Sequence, residues 1–288
     1  MPGAVKEELP VKGKGGVRLV EGRDLMKVFH MFAVCAYGDQ PYLEACLRSV
    51  TGQSCPTKTI VCTSTPSPYI EGLAKKYGLP LYVRKGESDI QADWNFAYEM
   101  ADARFVTLAH QDDLYGRDYV KTLAACAARY PDMCLFTTDH MTVRDHQMVP
   151  GERLWLVKKL LRIPLKAHGL AHIPFVKKAA LRFGNPICCP ACTYQKVADG
   201  RGPFFRSSCR FALDWDHLID MAEGPGRFIC VEKPLMFHRL HKDAATNTCM
   251  KDQVRFQEER QMFERLWPKP VAALLMRVYQ KAYASYEV

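Results

Sequence analysis

Apolar strand-like runs and helical segments alternate four times over the first half of the chain, and this limits the fold more than any other feature. Residues 28–36 form the first apolar run. Pro41 then opens a helical segment with Leu43, Leu47 and Val50 on one face and Gly52 past its end. A second run covers 59–62. Ser67 is placed to cap the next helix, with Pro68 at its first position and Gly78 beyond its end. A third run covers 81–83, Ser88 is read as the cap of a helix reaching Met100, and a fourth run covers 105–109. Such alternation predicts an α/β fold, with a mostly parallel sheet covered by helices on both faces. Ligands of open α/β sheets bind at the carboxyl ends of the strands, so the chemistry is expected there.

The rest of the chain is less regular. A helix is expected over 117–129 and a strand over 133–138. Residues 154–165 read as amphipathic and basic, 185–196 as a loop or short strand, and 212–222 as a helix. Two strands are expected at 228–231 and 234–238, then a helical tail from Asp252 interrupted at Pro268 and Pro270. The chain has 288 residues, 48% of them hydrophobic, enough for one large α/β domain. The polar, glycine-rich residues 1–27 read as a flexible lead-in with no signal-peptide core. No apolar run approaches the ~20 residues that span a bilayer. A cytoplasmic chain is therefore expected, with the inner membrane face as a place of work. Its twelve cysteines are then expected as free thiols, including the Cys188, Cys189 and Cys192 cluster. The net charge of +9 attracts anionic partners, but no nucleic-acid-binding signature accompanies it, so nucleic acid is not expected as a partner. Oligomeric state has no signature here.

The strongest chemical signal is Asp112-Asp113, directly after the fourth strand. Adjacent carboxylates at a buried strand end repel each other and call for a counter-charge. A hard divalent cation bridging them to a diphosphate supplies it; a solvated turn or a helix cap is the plainer alternative.

Four stretches carry a resemblance. Ala33 to Leu43 with Leu47, Arg48, Ser49, Val50 and Gln53 resembles the opening of family 2 glycosyltransferases of the GT-A fold. Asp93-Trp94-Asn95-Phe96-Ala97, followed by 105–113, resembles the segment leading into that family's Asp-x-Asp-type metal motif. Leu213-Asp214-Trp215-Asp216 resembles the helix start carrying its catalytic carboxylate, and Phe237-His238-Arg239-Leu240-His241 its closing basic segment. The match spans roughly 28–247 in the right order, which leaves 248–288 as a C-terminal helical extension.

The resemblance implies an inverting transferase that uses Mn²⁺ or Mg²⁺ and a nucleoside diphosphate sugar, UDP by default. It implies a saccharide or lipid-linked acceptor and a role in cell-surface glycan synthesis. It places the nucleoside against Ala36, Tyr37, Asp39 and Thr63, with Tyr37 stacking on the base. Asp93 and Asn95 are implied to hold ribose or sugar hydroxyls. Asp113 is implied as the direct metal ligand, with Asp112 and His241 as further candidates, and Arg239 as a balance for diphosphate charge. Asp214 is implied as the general base, with Asp216 as the rival. Two departures stand out: Thr63-Ser64-Thr65 replaces the family's acidic residues after the second strand, and Leu213 replaces the acid that usually precedes the catalytic carboxylate. A nucleotidyltransferase would share the sheet and the metal carboxylate, but Tyr37-Gly38-Asp39-Gln40 is not the glycine-rich basic loop that holds a triphosphate. A non-catalytic sugar- or membrane-binding protein keeping the fold is the other alternative. The basic apolar stretch 154–166 and the tail face of Leu274, Leu275, Val278 and Tyr279 add an expected reversible contact with an anionic membrane.

Overall fold

The computed structural model describes residues 28–144, 147–149, 153–196, 203–241 and 254–284. The expected lead-in over 1–27 and the boundary at 247 lie outside them. The first half alternates as its pattern predicts: β1 (His30–Ala36), α1 (Leu43–Thr51), β2 (Lys58–Thr63), α2 (Pro68–Lys76), β3 (Leu81–Val83), α3 (Ile90–Met100), β4 (Phe105–His110). Leu43, Leu47 and Val50 are fully buried on the inner face of α1, and the Ser67 hydroxyl accepts the Ile70 N–H at the start of α2. At α3 the cap is Asp89, whose carboxylate accepts the Ala92 N–H. Ser88, read as the cap, instead donates to Asp93.

The chain continues through β5 (Leu114–Tyr115), α4 (Tyr119–Arg129), β6 (Met133–Arg144), β7 (Gln147–Val149), α5 (Arg153–Leu161), α6 (Ile163–Lys166) and α7 (Pro174–Leu181). A 3-10 turn, Cys189–Ala191, leads into β8 (Cys192–Gln195). Last come α8 (Leu213–Glu223), β9 (Arg227–Arg239), α9 (Val254–Leu266) and α10 (Lys269–Ala284).

The sheet order is β3-β2-β1-β4-β8-β6-β9-β5, with β7 hairpinned onto β6. Strands β3, β2, β1 and β4 run parallel, as do β6 and β9, while β8 runs antiparallel between β4 and β6. One buried cluster lies on each face, around Phe32, Leu47, Tyr119 and Phe136 on one and around Val106, Tyr194, Trp215 and Phe263 on the other. Met262 and Phe263 of α9 and Ala272 and Met276 of α10 belong to the second cluster. Burying a side chain such as Phe263 contributes roughly 2–3 kcal/mol, so these helices are part of the core's packing on that face of the sheet.

Three local expectations are corrected. The two short strands at 228–231 and 234–238 are one strand, β9, whose pairing with β6 slips at Thr138–His140. The slip accommodates Pro234, which has no N–H for the ladder. The basic segment 154–165 is split at Arg162, which turns inward to a buried ion pair with Asp139 at 2.6 Å. The tail breaks at Pro268 alone, since Pro270 falls in the first turn of α10, where a missing N–H is tolerated.

Candidate active site

Parallel strands β1 and β4 end side by side, with Cys35 opposite His110. Their carboxyl ends open into a cavity of about 720 Å³. Its walls come from the loop after β1, the start of α3, the β4 terminus and the segment from Ser207 to Arg210. Of the residues singled out in the sequence, Ala36, Tyr37, Thr63, Asp93, Asp112 and His241 line it. Asp113, Asp39, Asn95, Arg239, Asp214 and Asp216 are not among its lining residues.

The two carboxylates are held differently. Asp113 is fully buried. Its Oδ1 accepts from the Arg239 backbone N–H at 2.9 Å and from His238 Nδ1 at 3.1 Å. Burial alone would raise the Asp113 pKa, but the adjacent His238 and the Arg239 N–H hold it below the ordinary value. His238 is perturbed the opposite way: burial disfavours its cation, yet Asp113 raises its pKa. Asp112 is more open, with Oδ2 at 2.9 Å from His241 Nε2. The Arg239 guanidinium donates to the Asp112 carbonyl at 3.0 Å and lies over the Tyr42 ring, so its charge is turned towards the backbone of the carboxylate pair rather than into the cavity.

Asp113 Oδ2 and His110 Nε2 are both buried and have no hydrogen-bond partner. Ligand atoms of His110, Asp112 and Asp113 lie within 4.8 Å of one another. Buried polar atoms are almost always satisfied, and a neutral imidazole with two carboxylates is a donor set for a divalent cation. Burial lowers the His110 pKa, which keeps the ring neutral and a lone pair available. The residues present therefore fit a metal ion.

One end of the cavity is built from the loop after β1. Gly38 adopts φ +58°, a left-handed turn that favours glycine. Its N–H donates to Thr65 Oγ1, and Thr63 Oγ1 accepts the Thr65 N–H, so the Thr63-Ser64-Thr65 segment braces this loop. Gln111 closes it from below, accepting the Tyr37 N–H and donating to the Tyr37 carbonyl. Tyr37 is left 56% exposed at the cavity rim. Asp39 faces away and accepts from Ser67. Asp93 is ion-paired to Arg84 at 2.6 Å and accepts from Ser64 and Ser88, which anchors a carboxylate in the wall. Asn95 instead clasps the Phe205 backbone through both ends of its amide. Its role in this geometry is to pin the 203–209 segment.

Asp214 sits one residue beyond the cavity wall, at the start of α8. Its Oδ2 accepts from Asn185 at 2.9 Å. Burial raises its pKa to about 6, against the opposing pull of the Trp215 N–H and the Lys158 cation. Asp216 is tied up elsewhere, accepting from Ser207 at 2.6 Å and ion-paired with Arg265 of α9. Glu258, also on α9, accepts three N–H groups ahead of α8, from Arg210, Phe211 and Ala212, at 2.7–2.9 Å. The C-terminal helices thus set the position of the carboxylates on α8. Glu258→Ala would strand those donors, and an unfolding titration should show a loss of about 3 kcal/mol; a loss below about 0.5 kcal/mol would mean the clamp is ornamental.

The model of Glycosyl transferase family 2 matches residues 32–197, which is more than half of the chain. The chain is a family 2 glycosyltransferase. Solved structures agree on its fold. The transferase aligns with S. aureus TarS 1-349 at 14% identity and a TM-score of 0.57, covering 90% of this chain and 72% of that one. It aligns with the mannosyltransferase PcManGT of Pyrobaculum calidifontis at 14% identity and 0.59, covering 90% and 76%. Glucosyl-3-phosphoglycerate synthase of Mycobacterium tuberculosis aligns at 13% and 0.52, covering 81% and 79%. TarS has been solved with UDP and with UDP-GlcNAc, and PcManGT with GDP-Man and Mn²⁺. No curated protein matches the transferase in sequence. Its mixed, mostly parallel sheet with helices on both faces has the GT-A arrangement.

Several groups of this glycosyltransferase's site were not singled out from sequence. His110 stands two residues before Asp112, at the strand's last position, and that placement was the available signal. Gln111, Arg84, Asn185 and Glu258 act through partners 9 to 74 positions away, and no local pattern marks them.

Proposed function

We propose that this enzyme moves a sugar from a nucleoside diphosphate sugar, with UDP as the first nucleotide to test, onto a saccharide or lipid-linked acceptor with inversion, in cell-surface glycan synthesis. The observation that carries the reading is the pair of unpartnered, buried ligand atoms on His110 and Asp113, beside Asp112 at the floor of the cavity. Asp112, Asp113 and His110 would hold a divalent cation, which when bound neutralises diphosphate charge on the leaving group. His238 and Arg239 orient Asp113, and His241 orients Asp112 from the cavity wall. Tyr37 and Thr63 face the nucleoside, and Asp93 presents an acceptor for a ribose or sugar hydroxyl. From the start of α8, next to the lining residue Leu213, Asp214 takes the acceptor hydroxyl's proton as that oxygen attacks the anomeric carbon and the bond to the diphosphate breaks. The transfer is a single displacement, so no covalent sugar–enzyme species is needed. A panel of nucleotide sugars, followed by nucleotide release with Mn²⁺ and with EDTA, tests the proposal. Release from at least one donor in Mn²⁺ and none in EDTA supports it; metal-independent release would contradict it.

The acceptor side abuts a surface suited to an anionic bilayer, which supports a lipid-linked acceptor. Lys158 of α5 acts electrostatically on Asp214, and the outer face of the same helix exposes Leu156, Val157 and Leu160. Helices α5 and α6 pack on α7. Arg182, just past α7, lies over both Phe175 and Trp267, and Gly184 meets Tyr279 of α10. The layer therefore runs on to α10, where Val271, Leu274 and Val278 face outward. Leu275 and Tyr279, expected on that stripe, are turned inward, with Tyr279 against Phe263. Lys159, Arg182, Lys269 and Arg277 lie among these apolar groups, an arrangement that favours anionic headgroups. No helix among the described residues is long and apolar enough to cross a membrane. Sedimentation with phosphatidylglycerol vesicles should pull the enzyme down at low salt, and Leu160→Asp with Leu274→Asp should leave it in the supernatant. Absence of the wild type from the vesicle pellet would refute the contact.

A further inference from the structure

We infer that His110 is the nitrogen ligand of the cation site and gives it a preference for transition ions over magnesium. This rests on the metal-dependent reading above and adds a selectivity that the carboxylates alone would not supply.

The geometry separates His110 from the other histidines at the site. His238 Nδ1 and His241 Nε2 each face a carboxylate oxygen, so they serve as orienting groups for Asp113 and Asp112. His110 Nε2 faces no protein acceptor or donor, although it is buried. Its ring is packed at 5.1 Å against Trp94, and its carbonyl accepts the Asp113 N–H and the Cys46 thiol. The strand end thus holds both the backbone and the ring. Gln111, between the ligands, is excluded because both ends of its amide are bonded to Tyr37.

An ion with ligands at about 2.1 Å requires ligand atoms no more than roughly 4.2 Å apart. The 4.8 Å span of the three groups closes by a small side-chain rotation. Magnesium demands near-octahedral oxygen coordination and keeps its waters, whereas imidazole suits the later divalent ions. One imidazole with two carboxylates therefore favours Co²⁺ and Mn²⁺ over Mg²⁺, with Co²⁺ ahead of Mn²⁺. A set of oxygens alone would lose most of that discrimination.

The test is electron spin-echo spectroscopy of the full chain loaded with Mn²⁺ and UDP, with competition by Mg²⁺ measured on the free-Mn²⁺ signal. The wild type should show directly coordinated ¹⁴N. His110→Asp should still take up Mn²⁺, lose that coupling, and show a Mn²⁺-over-Mg²⁺ preference reduced about tenfold. Bound Mn²⁺ without ¹⁴N coupling in the wild type overturns the inference, and needs no variant. So does coupling that survives in His110→Asp with the preference unchanged. A wild type that takes up no Mn²⁺ with UDP present overturns the metal-dependent reading itself.

Discussion

Replacing Asp214 with Asn should lower turnover by about a hundredfold or more while leaving nucleotide affinity intact. The amide keeps the volume and can still accept the Trp215 N–H, so the start of α8 persists, but it cannot take a proton. Burial raises the Asp214 pKa to about 6. A general base works only when ionised, so wild-type kcat/KM should fall about tenfold per unit below pH 6 and level off above it. Asp214→Asn should abolish that limb. Asp216→Asn should behave differently, because Asp216 is ion-paired to Arg265 and bonded to Ser207. Its loss should appear in thermal unfolding, with the activity per folded molecule largely kept. Normal turnover in Asp214→Asn together with a dead but folded Asp216→Asn would show that the base was assigned to the wrong carboxylate.

Asp113→Asn should weaken donor binding at least about a hundredfold in Mn²⁺ and leave the residual affinity insensitive to chelation. The substitution is nearly isosteric, and its amide oxygen can still accept the Arg239 N–H now made to Oδ1. What disappears is the negative charge and the free oxygen Oδ2. Titration calorimetry with UDP in Mn²⁺ and in EDTA reads both effects. A variant that keeps metal-dependent affinity close to wild type would remove Asp113 from the ligand set.

How much of this was legible in advance follows from the range of the forces involved. The alternation of β1 to β4 with α1 to α3 is written in residue periodicity, turn glycines and the Ser67-Pro68 start, all local features, and the structure follows them closely. The carboxylate pair at the end of β4 was equally visible, since a buried strand running into Asp112-Asp113 is a local contradiction that calls for a partner. The roles of individual side chains depended on long-range pairing. Asn95 looks like a cavity residue until Phe205, 110 positions on, takes both ends of its amide. Asp216 looks as available as Asp214 until α9 delivers Arg265 to it. Arg239 reads as a diphosphate clamp, yet its neighbours Tyr42 and Asp112 draw it behind the carboxylates. The strand-end position of His110 is a sequence signal, but only the fold tells a satisfied core histidine from one whose ring nitrogen has no partner.

The central claim is that the His110, Asp112 and Asp113 cluster binds nucleotide through a divalent cation. Titrating UDP into the wild-type enzyme by calorimetry, once in Mn²⁺ and once in EDTA, tests it most directly. Saturable binding in Mn²⁺ and a loss of affinity of about a hundredfold or more on chelation are expected. Equal affinity in the two buffers would contradict it.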